Sequence, residues 1–184
     1  MADYFLHPEV DVYNTLLISG SAQTATEVLT RPERSPTATG TTPNLYITGA
    51  SGTCILDVVG FFKAPGVTIN TVTAYFYRQL RADATITASV LLGGYTKASV
   101  VESGFVEDWS SVTWASGDIT QQDIHDLRIR FDVTRVTTSP VLYAAYVVVN
   151  TTAASVTLPA VADSYTPSVP IKWRPRIKPG AFWI

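Results

Sequence analysis

Between residues 67 and 135 polar and apolar side chains alternate with a period of two in several separate runs, which suits strands and no long helix. In VTINTVTAYFYRQL (67–80), Val72, Ala74 and Phe76 fall on one side, and Thr73, Tyr75 and Tyr77 on the other. In ATITASVLLGG, Ile86, Ala88 and Val90 alternate with threonine and serine, and Gly93-Gly94 supplies a hairpin turn. YTKASVVESGF and DWSSVTW read as two more strands. RIRFDVTRV turns Ile129, Phe131 and Val133 inward and Arg128, Arg130, Asp132 and Thr134 outward. VLYAAYVVVN is apolar on both faces, as a central strand requires. The one helical signal is Thr120 capping a short turn with Asp123 three residues on, followed by Ile124 and Leu127. Strands at such spacing predict an all-β fold: an antiparallel β-sandwich, jelly-roll-like, with extended N- and C-terminal arms.

Three segments follow. Residues 1–43 read as an irregular N-terminal arm, with a short strand near YNTLLISGS and a Pro/Thr-rich loop, TRPERSPTATGTTP. Residues 44–150 form the sandwich body, opening with a hairpin whose runs 44–48 and 53–62 flank Gly49-Ala50-Ser51-Gly52. Residues 151–184 form a Pro-rich C-terminal arm for assembly: Pro159, Pro167, Pro170, Pro175 and Pro179 favour edge or polyproline conformations. That arm also carries Trp173, Phe182 and Trp183, which a solvated tail rarely spends, so it is expected to dock on a partner.

Charge narrows the partners. The net charge is −2, and only 15% of residues are charged. A nucleic-acid partner is thereby disfavoured, and a surface so poor in charge is either Thr/Ser-rich or covered. The longest apolar run, 141–149, is far short of the ~20 residues that span a bilayer, so no membrane partner is expected. The start, MADYFLHPEV, has no basic n-region or apolar h-region, so no signal peptide is expected. The lone Cys54 makes an intrachain disulfide impossible and reads as a small buried hydrophobe.

The groups needed for catalysis are missing, so the chain is expected not to be an enzyme and to hold no catalytic residues, cofactor or metal. His7 and His125 lie far apart in sequence, and no HxxxH, CxxC, HExxH or GxSxG spacing occurs. Glu107 and Asp108 are adjacent on a strand and point opposite ways, so they are not a glycosidase pair. Asp118, Asp123 and Asp126 lack calcium-loop spacing and read as caps and turn residues.

Two features point to binding. Tyr75, Tyr77, Tyr95, Trp109 and Trp114 could build a sugar-stacking platform; Trp109 and Trp114 differ by five, so one faces out and the other lies in the core. The second is IKWRPRIKPG, where Lys172, Arg174, Arg176 and Lys178 alternate with Ile171, Trp173, Pro175 and Ile177. An extended ribbon of this kind suits strand addition to a neighbouring sheet edge, with Trp173 and Ile177 as anchors. The partner-binding residues are therefore expected to be Ile171, Lys172, Trp173, Arg174, Arg176, Ile177, Lys178, Phe182 and Trp183, with Arg31 and Arg34 of the N-terminal loop.

The stretch FVEDWSSVTWASGDITQQDIHDLRIRFDV, followed by VLYAAYVVV, resembles small β-sandwich structural proteins of tailed double-stranded DNA bacteriophages. The matching residues are Trp109, Trp114, Asp123, Leu127, Ile129, Phe131 and Tyr146, within roughly 67–150. The resemblance implies a virion component made in the host cytoplasm, foremost a capsid decoration or cement protein. Its partners would be a major capsid or other virion protein, or copies of itself on a lattice. A head–tail connector, collar or tail protein is the alternative address. A carbohydrate-binding adhesion module is the alternative of a different class, and it leaves a glycan partner open.

Overall fold

A computed structural model describes residues 2–19, 24–29, 44–58, 67–115, 117 and 119–153, all within one unit, Met1–Ala154. Arg31, Arg34 and every site residue expected between 171 and 184 lie outside the described residues. The elements run β1 (Ala2–Leu6), β2 (Val10–Asn14), β3 (Leu17–Ser19), α1 (Ala25–Leu29), β4 (Asn44–Tyr46), β5 (Ser51–Asp57) and β6 (Val67–Leu80). They continue as β7 (Ala84–Leu92), β8 (Tyr95–Ser103), β9 (Val106–Ala115), α2 (Gln121–His125), β10 (Leu127–Arg135) and β11 (Val141–Ala153).

Two antiparallel sheets pack face to face. One has the order β3-β4-β11-β6-β9, and the other β2-β5-β10-β7-β8. Taken alone, β4 to β11 form the eight-stranded double Greek key of a jelly roll. Pairing with β6 occupies one edge of β11 along its length, so β4 (at Val141 and Leu142) and β1 (at Val147 to Thr151) share the other edge end to end.

The alternation drives this assembly. Val72, Ala74 and Phe76 of β6 are buried, as are Ile129, Phe131 and Val133 of β10. Phe76 and Phe131 meet edge-on across the sandwich at 5.5 Å between centroids, the geometry their quadrupoles favour. β11, apolar on both faces, lies inside its sheet as read. Gly93 and Gly94 both hold positive φ, +54° and +90°, and close the β7–β8 hairpin with the hand its strand twist needs. Thr120 caps α2 in a reciprocal capping box with Asp123. Cys54 is fully buried, which pushes its thiol up to about 12, with Asp11 adding to the effect.

Three expectations need correction. The hairpin read over 44–62 does not exist over its described part: β4 and β5 belong to different sheets, and the link between them crosses the sandwich. Turn residues at 49–52 cannot tell a hairpin from an inter-sheet corner. The stretch read as an irregular arm contributes strands to both sheets over residues 2–19, and a buried helical turn over 24–29. Asp11 of β2 makes this possible: its carboxylate accepts from the amides of Ala25 (2.8 Å) and Thr26 (2.7 Å) and from the Thr26 hydroxyl. Last, the body does not stop at 150, because β11 keeps pairing with β6 as far as Ala153.

Candidate functional site

The outer faces of the two sheets differ in kind. On the second sheet the outward side chains of β10 are charged or hydroxylic, and they pair across strands: Arg128 with Asp57 at 2.5 Å, and the Thr53 hydroxyl with Asp132 at 2.7 Å. Exposed apolar residues on this sheet, Val10, Val12, Tyr13, Tyr95 and Val101, lie on its edge strands β2 and β8, and no ring contact joins them among the described residues. On the first sheet the outward side chains at the middle of β1, β11, β6 and β9 are aromatic.

Register builds this aromatic face. Tyr75 lies opposite Tyr146, and Tyr77 opposite Trp109. Tyr75 and Tyr146 stack at 5.0 Å with 13° between their planes. Trp109 stands edge-on to Tyr146 at 5.4 Å and to Tyr77 at 5.4 Å. Tyr143 adds a fifth ring, 5.9 Å from Tyr77, and Phe5 a sixth, 6.2 Å from Tyr146. Six rings thus form one continuous patch across four strands. Trp109 is 37% exposed and Phe5 63% exposed. Apolar surface of this extent on the outside of a sheet marks an interaction site more often than a packing accident.

Polar rims border the rings along the strand direction. On one side the Gln79 side-chain amide donates to Glu107 Oε2 at 2.8 Å, and the Tyr143 hydroxyl donates to Gln79 Oε1 at 3.3 Å. On the other side Asn70 donates to Asn150 at 2.9 Å, and Asn150 donates to Asp3 at 2.7 Å. Thr73 and Thr113 share a hydroxyl hydrogen bond at 3.0 Å between the strands that carry Tyr75 and Ser111. Burial first, then the carboxylates of Glu107 and Asp108, holds the Tyr77 hydroxyl above its ordinary value. Burial, Glu107 and Tyr77 do the same for Tyr143 against the opposing charge of Arg81, and burial and Tyr75 do so for Tyr146. All three hydroxyls are protonated at neutral pH and can donate.

Of the five aromatic residues singled out from sequence, the structure brings together Tyr75, Tyr77 and Trp109. Trp114 packs against the core, as its five-residue offset from Trp109 requires, with the Lys97 ammonium 5.8 Å from its ring. Tyr95 is 77% exposed on the other sheet and takes no part. Phe5, Tyr143 and Tyr146 were not legible as members. Tyr143 and Tyr146 are three apart, so strand parity sends them to opposite faces. A bulge between Leu142 and Ala144 inserts Tyr143 as an extra residue and brings both to the outer side.

Among the described residues no group of His, Cys, Asp and Glu gathers as a metal site, and no helix is long and apolar enough to cross a membrane.

Neither a family model nor a curated protein matches this chain. Among solved structures, the enzymatically active domain of tailspike protein 4 of Bacteriophage CBA120 aligns over 81% of this chain and 19% of its own, at 10% identity and a TM-score of 0.44. A Stig cyclase from Fischerella sp. TAU aligns over 81% of this chain and 98% of its own, at 9% identity and a TM-score of 0.40. TmCBM61, solved in complex with beta-1,4-galactotriose, aligns over 57% of this chain and 68% of its own, at 16% identity and a TM-score of 0.35. At these scores none of them bears on what this chain binds.

Proposed function

We propose that the chain is a non-catalytic β-sandwich binding module that receives extended saccharides on the aromatic face of its first sheet. One observation carries the reading: the six-ring patch of Phe5, Tyr146, Tyr75, Trp109, Tyr77 and Tyr143 stands on the outside of the fold, between two hydrogen-bonding rims. A pyranose presents C–H groups on its faces and hydroxyls around its edge. Rings stack on the first, and tyrosine hydroxyls, amides and carboxylates bond the second. The patch crosses four strands, which suits a chain of sugars more than a single one. Its test is binding of the full chain to a panel of oligosaccharides by calorimetry. Trp109→Ala and Tyr75→Ala are expected to remove binding while leaving the circular dichroism of the fold intact. Retention of affinity in both variants sinks the reading.

A second reading concerns where such a module works. We infer a virion protein, foremost one that decorates or cements a capsid, with a connector, collar or tail position as the other address. The share of charged residues, 15%, and the alternation of cationic with apolar or proline residues in the sequence at 171–178 favour it. The two readings are compatible, since a structural protein of a particle can carry an adhesive face. Deleting residues 171–184 is expected to abolish incorporation into particles, and normal incorporation of the truncated chain overturns this assignment.

A further inference from the structure

We propose that Glu107, braced by Gln79 and Tyr143, selects the ligand of the aromatic face: an uncharged, hydroxyl-rich saccharide, with anionic sugars excluded. This rests on the glycan reading above.

Glu107 and Gln79 are directly opposed on β9 and β6, and each is two residues from a ring of the patch, Trp109 and Tyr77. The Gln79 carbonyl accepts from Tyr143, so its amide nitrogen is turned to Glu107 Oε2. The carboxylate is thus oriented by a chain that begins inside the aromatic patch. Among the described residues its other oxygen, Oε1, takes no hydrogen bond. A carboxylate accepts and cannot donate. Held beside a stacking surface, it matches the hydroxyl donors of a neutral sugar, and such charge-assisted bonds are the stronger kind.

The same charge works against anions. Asp3, fixed by Asn150, puts a second carboxylate on the opposite rim. Arg81 is the cation that acts on Tyr143, and its guanidinium lies over the Phe105 ring at 4.8 Å. A uronate or sulfated sugar stacked on the patch would therefore meet a carboxylate on each rim, Glu107 and Asp3, against the Arg81 guanidinium near Tyr143.

The experiment compares neutral hexose tetrasaccharides with oligogalacturonate of equal length, titrated into the full-length wild type, Glu107→Gln and Trp109→Ala. The wild type is expected to bind a neutral tetrasaccharide at least about tenfold more tightly than the uronate. Glu107→Gln keeps the shape and the Gln79 contact but weakens the acceptor, so neutral affinity falls about tenfold and the gap to the uronate narrows. Equal or tighter binding of the uronate by the wild type overturns the proposal, as does unchanged neutral affinity in Glu107→Gln. If Glu107 is only a cross-strand strut, melting temperature falls and selectivity does not move, which also overturns it. Loss of binding in Trp109→Ala with intact selectivity in Glu107→Gln leaves the glycan reading standing and removes this one. No binding of any saccharide by the wild type removes both.

Discussion

Arg78 of β6 and Glu102 of β8 meet at 2.7 Å across the two sheets, with the arginine side chain 6% exposed and the glutamate 21%. The arginine sits on the inward side of its strand, between Phe76 and Leu80, where alternation calls for an apolar residue. Its guanidinium also donates to the Asp108 carbonyl at 2.7 Å, and the Ser110 hydroxyl donates to Glu102. A buried pair of this kind is weak as net stabilisation but expensive to half-remove. Burial tends to raise the Glu102 pKa, but the Ser110 hydroxyl and Arg78 outweigh it and leave the carboxyl lowered. Glu102→Ala should therefore cost about 3–5 kcal/mol in urea unfolding. The double variant Arg78→Met with Glu102→Leu should recover most of that loss. A single variant as stable as the wild type would show that the pair holds nothing.

Acid stability should depend on Asp83. Its carboxylate accepts from the amides of Thr137 (2.5 Å) and Thr138 (3.0 Å) and from the Thr137 hydroxyl, which ties the β6–β7 turn to the β10–β11 turn. The Thr137 hydroxyl and these two amides lower its pKa to about 2. The native value lies below the unfolded one, so the contribution is complete above the ordinary aspartate range and fades as pH falls through about 2. Melting temperature against pH should fall less steeply below the ordinary aspartate range in Asp83→Asn than in the wild type. Superimposable slopes would refute the assignment.

Asp11→Ala should release α1 from β2. The variant leaves the amides of Ala25 and Thr26 without the acceptor that now caps them. The expected loss is about 1–2 kcal/mol, the range for a helix cap, with faster amide exchange at Val28 and Leu29. Unchanged exchange would mean that burial of those two side chains suffices.

Stability and binding should separate between two aromatic residues. Phe131→Ala opens a core cavity and should cost about 3–5 kcal/mol. Trp109→Ala removes an outer-face ring and should cost under about 1 kcal/mol, the scale of a cross-strand pair, while saccharide binding is lost. Comparable losses of stability would make Trp109 a packing residue.

Much of the strand content was legible because a period of two leaves few alternatives: β6, β7 and β10 fall where the alternation put them, and the doubly apolar run at 141–149 falls in β11. The Trp109 and Trp114 split was legible for the same reason, since parity along one strand is local geometry. The strands at Ala2–Leu6 and Val10–Asn14 were not. They are short, exposed and weakly patterned, and they become strands through pairing with β11 and β5, forty or more residues further along the chain.

The aromatic face divides the same way. Alternation by itself determined that Tyr75 and Tyr77 share one side of their strand and that Trp109 and Trp114 lie on opposite sides of theirs, because backbone pleating sets each strand's two sides; that Trp109 is the outer one was decided by packing. Which rings become neighbours depends on register between strands far apart in the chain, on the bulge that turns Tyr143 outward, and on the pairing that brings Phe5 beside Tyr146. Those are long-range choices made by packing, and a pattern with a two-residue period carries no record of them.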